Sequence, residues 1–366
     1  MSMIIINDNC AIEIVLGSVK FFKTNFIRLV ILQRADNVLP TFELEVVMPD
    51  TSMLGELRKN NTVIELNYGQ TPETVVKREF RIKNFSMRPD GDNFIFILNG
   101  ISKIDGYTNK LNIVAIEDTS DAVLNSEILG VELDISYKGN DKQVWIRHNI
   151  PEKEFVDRVL QNAYIADDDL ILSALNVDNL LKIYSIKDIF QGKEVITLFN
   201  DKIDGSTSDV RFQNLSVETD NSIFKYLLAE GTVQPVYRLK EGKIDYIDTN
   251  SKSIKSGESF DELEESRNAP LLVDNGNCHE KYYNAYACNL SNKINFFSYT
   301  VIVNVGQRFF KETELTLLDL VKLMPNSSSG EIDEHLKGKY IITGKDIAIT
   351  QKGFNQRLRL NRDYIL

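Results

Sequence analysis

The stretch that decides the fold is GKYIITGKDIAITQKGFNQRLRLNRD, residues 338–363. Apolar and polar residues alternate through it, so it reads as two short β-strands joined by a turn around Gly353. A fainter copy, KREFRIKNFSMRPDGDNFIFILNGIS, occupies residues 77–102, with its turn at Asp90 and Gly91. Period two places Phe80 with Ile82 on one face, and Tyr340 with Ile342 on the corresponding face. Each hairpin has an earlier partner: NNTVIELNY (60–68) before the first and ELTLLDLVKLM (314–324) before the second. Earlier still stand TFELEVVM (41–48) and FSYTVIVNVG (297–306). The order of strands is therefore shared, and the chain reads as two copies of one small antiparallel β-barrel domain around a mixed α/β middle. The expected class is mainly β, α+β overall.

Working outward, residues 1–112 are nearly all strand and turn. IEIVLG (12–17) and NFIRLVILQ (25–33) are rich in β-branched and aromatic residues. Breaks fall at Asp36–Asn37, Pro40, Pro49–Asp50, Gly69, Pro72 and Pro89–Asp90–Gly91. Residues 113–204 form the mixed domain. Within them, VELDISYKGNDKQVWIRHNIPEKEFVDRVLQNAY (131–164) leads from a strand into the clearest helix of the chain. Pro151 suits the first helical turn, and Glu152 and Glu154 meet the positive end of the helix dipole. Phe155, Val156, Val159, Leu160 and Ala163 make one apolar stripe, and Trp145 anchors the helix start in a core. DDDLILSALNVDNLLKIYSIKDIF (167–190) reads as a helix or loop followed by the strand LLKIYSI.

The second β-domain is expected from 205–225 and 283–366, because DVRFQNLSVETDN (209–221) echoes NFIRLVILQRADN (25–37) up to a closing Asp-Asn. Residues 226–282 are then an insertion, with a hairpin QPVYRLKEGKIDYIDT (234–249) and an acidic, solvated loop KSGESFDELEESRN (255–268).

Composition narrows the function. Of the 366 residues, 43% are hydrophobic and 26% charged, which is ordinary for a globular protein with two or three cores. A net charge of −11 without a Lys/Arg stripe argues against general nucleic-acid binding. A clamp on DNA would need basic inner helices, and the helix over 151–164 is not basic. Cys10, Cys278 and Cys288 are odd in number and read as free thiols of a reducing cytoplasm. The start MSMIIINDNCAIEIVLG has no basic n-region, and no apolar run is long enough to span a membrane. No phosphate loop follows a strand.

Asp167, Asp168 and Asp169 are consecutive acids whose side chains point in different directions, a solvated turn rather than a catalytic pair. His148 and His279 with Cys278 and Cys288 have no zinc spacing and no fourth ligand. No nucleophile–base set emerges from spacing. Catalytic, cofactor and metal sites are therefore expected to be none, and the chain is expected not to be an enzyme.

The two β-domains around an α/β segment resemble the hub protein of contractile-tail baseplates in bacteriophages. The same architecture recurs in the N-terminal part of type VI secretion spike proteins. The resemblance is carried by EFRIKNFSMRPDGDNFIFILNGI, by WIRHNIPEKEFVDRVLQNAYIADDDLILSALNVDNLLKIYSIKDI and by GKYIITGKDIAIT with FNQRLRLNRD. It covers about a third of the chain and is one of pattern. It implies a homotrimer whose two β-domains per copy make a pseudo-sixfold ring. Such a ring joins a trimeric central spike to a hexameric tail tube, beside other baseplate proteins. The spike is expected to be a separate protein. DNA is met only in passage, and an acidic interior repels it. The place implied is the virion tail baseplate, assembled in the host cytoplasm. The alternative is a receptor- or polysaccharide-binding tail protein, one with glycan-degrading activity included. Against it, most Phe and Tyr sit inside alternating strands rather than on loops. In the last strand, Leu358 and Leu360 are expected to face the core, with Arg357, Arg359 and Asn361 facing out.

Overall fold

The computed structural model describes residues 3–7, 10–36, 38–69, 77–166, 169–176, 178–194, 196–200, 210–219, 243–248, 253–258, 271–272, 289, 292–293, 296–297, 299–305, 315–325 and 335–362. The N-terminal block is built of β1 (Ile4–Asn7), β2 (Cys10–Val15), β3 (Phe26–Arg34) and β4 (Val38–Met48). Helix α1 (Met53–Leu57), β5 (Val63–Gly69), β6 (Glu79–Asp90) and β7 (Asn93–Ser102) follow. Their lateral order is β1-β2-β5-β6-β7-β4-β3. Alternation does the sorting: along β4, Pro40, Phe42, Leu44, Val46 and Met48 turn inward while their neighbours are half-exposed. Phe42, Leu44, Val46 and Met48 meet Phe26, Leu29, Ile31, Ile64, Leu66, Tyr68, Phe80, Phe96 and Leu98 in one core. The β6–β7 hairpin turns on Gly91 and Asp92, with Gly91 at φ 59, as the first position of a type II′ turn requires.

The middle of the chain holds α2 (Asp105–Asn109), β8 (Leu111–Asp118), α3 (Ser120–Glu127), β9 (Glu132–Ile135) and β10 (Gln143–Pro151). After them come α4 (Glu152–Asn162), β11 (Ile171–Leu175), β12 (Leu180–Ser185) and α5 (Ile186–Gln191). β8 and β10 pair as a ribbon, and β11-β12-β9 form a small sheet. The apolar stripe of α4 is buried as expected: Phe155, Val156, Val159 and Ala163 pack with Trp145, and Leu160 lies against the same core. Trp145 sits on β10 and donates its Nε1–H to the carbonyl of Asp118 at 2.9 Å.

Two local readings need correction. Pro151 is the extended N-cap residue, with φ −60 and ψ 158, because it is still the last residue of β10 and pairs with Leu111 of β8. Residues 171–175, read as helix or loop, are the strand β11, antiparallel to β12. All five of its residues are buried, so the alternation that marks a half-exposed strand is absent.

The C-terminal part contains β13 (Ile196–Asn200) and β14 (Val210–Thr219). It continues with β15 (Lys243–Asp248), β16 (Ser253–Glu258) and β17 (Leu271–Leu272), then β18 (Tyr299–Val305), β19 (Leu320–Met324), β20 (Gly338–Thr350) and β21 (Gly353–Asn361). β20-β19-β13-β14-β18-β21 run side by side, and β21 pairs back onto β20, closing a six-stranded barrel. Its core joins Phe212, Val301, Val303, Leu317, Val321, Tyr340, Ile342, Leu358 and Leu360. The strand β13 comes from the end of the stretch read as the mixed middle and runs parallel to both neighbours.

β15, β16 and β17 make a separate sheet in the inserted stretch. There β15 pairs with residues 253–258. The front of the expected loop over 255–268 is thus strand, and its remainder, like 234–242 of the expected hairpin, lies outside the described residues.

The duplication read from the sequence extends to register. Order β5-β6-β7-β4-β3 in the first group matches β19-β20-β21-β18-β14 in the second. Both hairpins close on two-residue loops, Asp90↔Asn93 and Thr350↔Gly353, and carry a bulge at the same distance from the loop, after Ile82 and after Ile342. β3 shifts register against β4 after Phe26 and again after Leu32, and β14 shifts against β18 after Phe212, so the first of these shifts is shared. Phe26 thus corresponds to Phe212, two residues along from the sequence alignment on the closing Asp-Asn. The groups differ at their margins: β2 is antiparallel to β5, whereas β13 is parallel to β19.

Candidate assembly interface

β20 is longer than the barrel needs, and its far half serves a second purpose. Gly344–Thr350 pair on one edge with β21 and on the other with Arg28–Arg34 of β3. One strand thereby makes the two groups a continuous sheet. At the centre of this joint Ile347 faces Ile31, and Ile349 faces Leu29; all four are fully buried. Burying such side chains contributes about 1.5–3 kcal/mol each relative to exposure.

A charged cluster fixes the joint on its other face. Asp346 on β20 accepts from Arg34 of β3 on Oδ1 and from Arg357 of β21 on Oδ2, where Nε at 2.9 Å and Nη2 at 2.7 Å converge. The Asp346 side chain is 8% exposed, against 28% for Arg34 and 45% for Arg357. A planar guanidinium fork on a carboxylate fixes position as well as energy. Next to it, Lys345 is buried, and its Nζ donates to the carbonyl of Leu315 at 2.9 Å.

The positions equivalent to this joint lie open. Beyond Arg81, the outer edge of β6 meets no strand among the described residues, and Lys83 to Asp90 are all exposed. β14 likewise meets β13 only over Val210–Phe212, and Gln213 to Glu218 continue with an unpaired edge among the described residues. Since β6 corresponds to β20 and β14 to β3, the same two edges are joined once within the chain and open once. Phe85 and Met87 on β6 and Val217 on β14 are exposed at 38%, 39% and 40%.

The middle segment is pinned to both groups. Lys182 of β12 reaches Asp319 Oδ1 at 2.9 Å and Thr316 Oγ1 at 2.7 Å in the second group, and Ala174 of β11 makes an antiparallel bridge with Ala35 of the first. Asn289 donates its amide to the carbonyls of Gln161 and Ala163 at 3.1 and 2.7 Å, capping the C-terminal end of α4.

Of the candidate site residues, Asp169 is a buried structural acceptor, taking the Leu170 N–H at 2.8 Å and the Ser185 hydroxyl at 2.7 Å. His148 is exposed on β10. Asp167, Asp168, Cys278, His279 and Cys288 lie outside the described residues. Cys10 is buried, and burial pushes its thiol up to about 11. Among the described residues, no three His, Cys, Asp or Glu side chains are grouped to hold a metal ion, and no helix is long and apolar enough to cross a membrane.

Composition and spacing did not show that two acids are buried, Asp141 and the Glu152 already read at the start of α4. Asp141 takes the N–H groups of Ser120 and Tyr164 at 2.9 and 2.8 Å, and burial raises its pKa. Glu152 takes those of Leu129 and Gly130 at 3.1 and 2.7 Å. In the last strand Leu358 and Leu360 are buried as expected. Asn361, expected outside, is buried and donates to the carbonyls of Phe296 and Tyr299 at 3.2 and 2.8 Å. β21 is flanked by β18 and β20.

No family model and no curated protein sequence matches the chain. Solved structures do. A tail protein from Neisseria meningitidis MC58 is similar at TM-score 0.59 and 13% identity, over 98% of each chain. The 43 kDa tail protein of prophage MuSo2 from Shewanella oneidensis is similar at TM-score 0.60 and 12% identity, over 96% of this chain and 98% of that one. A type VI secretion system component of E. coli, itself described as structurally similar to two bacteriophage T4 tail proteins, is similar at TM-score 0.52 and 6% identity, over 96% and 78%. The fold of this chain is that of phage tail proteins, as the sequence resemblance implied, and it is mainly β with a closed barrel.

Proposed function

We propose that this chain is a structural hub of a phage-type tail baseplate, acting by geometry rather than catalysis. Three copies form a ring in which each contributes two similar β-units, so that six quasi-equivalent positions face the tail tube and three equivalent ones face the central spike. The observation that carries the reading is the duplication in register, bulges included, of five strands on either side of the β3–β20 joint. Two near-identical units fused in one chain are what a threefold object needs to present sixfold repeats.

In this reading residues 1–112 are one ring unit, and 205–225 with 283–366 the other. Residues 113–204 are an α/β arm that lends β13 to the second unit, and 226–282 are an insertion. The partners are further copies of the chain, a central spike, the tube protein and neighbouring baseplate proteins. DNA passes through the ring. The place is the virion tail, assembled in the host cytoplasm. No described group suggests turnover of a substrate, and the proposal includes no enzymatic role.

The test is co-purification with the tube and spike proteins of the same tail, followed by mass measurement. A complex holding three copies of this chain is expected. A complex in which the chain is present once, or no complex at all, would reject the reading.

A further inference from the structure

The internal joint supplies a template for a second one. Carrying the β20–β3 register over to β6 and β14 by the strand correspondence gives definite pairs: Phe85 opposite Thr219, Met87 opposite Val217, Pro89 opposite Leu215. We infer that the open edge of β6 in one copy pairs antiparallel, in this register, with the open edge of β14 in the next copy of the same chain. The inference rests on the hub reading and adds to it which strands join the copies and in which register.

Three observations support it. Among the described residues both edges are open at equivalent positions, and within the chain the equivalent edges are closed upon each other. Met87 and Val217, half-exposed, take the places of Ile347 and Ile31, which are fully buried. The occupant is also fixed by closure. β6 cannot reach β14 of its own chain in this register, because β7, β4, β3, β20, β19 and β13 separate them in the sheet. The contact is therefore heterologous, head to tail, and alternates with the internal joint until the ring closes.

Hydrogen bonding follows from the hairpin. Asp90 and Asn93 close the two-residue loop as a bonded pair, so Phe85, Met87 and Pro89 turn their backbone groups toward the open edge. Pro89 has no N–H, so on the β6 side the donors are Phe85 and Met87, and β14 donates from the residues facing them. A proline on an open edge also blocks indiscriminate pairing at the hairpin tip.

The register makes a sharp test. Arg88 and Ser216 face each other as a non-bonded pair, where Cα atoms stand about 4.5 Å apart, within the range of about 4.4–6.8 Å that a disulfide spans. Full-length chains carrying Arg88→Cys alone and Ser216→Cys alone are mixed and oxidised. The parent chain, with its native thiols, sets the background, and Ser86→Cys mixed with Ser216→Cys is the control two residues out of register. The expected result is a covalent dimer from the first mixture only, with the assembled mass unchanged. Assembled rings that give no Arg88→Cys–Ser216→Cys bridge, or that bridge the control equally well, overturn this joint and leave the hub reading standing. A chain that is monomeric at every concentration, alone and with its tail partners, and gives no bridge overturns both. As a second measurement, Met87→Asp is expected to abolish assembly while leaving the unfolding temperature of the monomer unchanged, since the side chain is exposed there. Assembly that survives Met87→Asp counts against the joint.

Discussion

The joint between the two β-groups hinges on one carboxylate, and Asp346→Ala tests that. The substitution removes the acceptor of both Arg34 and Arg357 while leaving every backbone pair of β20 in place. Hydrogen bonds to a charged group contribute about 1.5–3 kcal/mol each. Arg357 is nearly half-exposed and Arg34 over a quarter exposed, so both regain water on losing their partner, and the expected cost is about 2 kcal/mol in all. For units of this size that corresponds to a fall of about 4–8 °C in unfolding temperature. Circular dichroism on heating gives the reading, with Arg34→Ala and the double variant completing a cycle. The double variant should cost less than the sum of the single ones, since either change breaks the same pair. An Asp346→Ala chain that melts within a degree of the parent, or single effects that add fully, would refute the reasoning.

Three further outcomes follow from single features. Gly100→Ala should lose about 1–3 kcal/mol by overpacking, because a Cβ there would stand 2.2 Å from the carbonyl oxygen of Arg81 and 2.5 Å from the Phe42 ring; chemical denaturation reads it. Removing residues 357–366 deletes buried Leu358 and Leu360 and opens the barrel between β18 and β20. At about 2–5 kcal/mol per leucine lost, the truncated chain should give no cooperative melt of the second group, and a full melt would count against that account. Cys10, with its thiol raised by burial from 9.0 to about 11, should escape alkylation at pH 8 until the chain unfolds. Because the folded value is the higher one, its contribution to stability is complete below about pH 9 and is lost as the pH rises through about 11. Peptide mapping and a melt series against Cys10→Ser check both statements.

Half-buried strands announced themselves, since their alternation is visible residue by residue, as in β4, β7 and β21. β6 and β20 were legible from alternating letters, although β6 is exposed from Lys83 on and β20 is buried on both faces over Tyr340–Ile347. β11 was not, because it is buried on both faces and carries no polar beat. The echo of β3 in β14 was real but slipped by two residues, since the chain repeats the bulge after Phe26 and Phe212, not the letters of the closing Asp-Asn. Asn361 read as surface by its polarity, yet three acceptors around its amide make burial favourable. Asp141 escaped notice, and Glu152 reads only as an acid at the start of α4, because an acid looks solvated until the N–H groups facing it are known. The interface itself was half legible: the hairpins could be read, but not that β20 overshoots its barrel to hold β3. That is a fact of three-dimensional pairing with no local signature.

The central claim is that two fused copies of one β-unit let a threefold assembly present sixfold repeats. Electron-microscopy class averages of the full-length chain assembled with its tube and spike proteins test it most directly. The account predicts a ring of six similar lobes whose mass corresponds to three chains. A ring of six chains, or a chain that stays monomeric beside both partners, would contradict it.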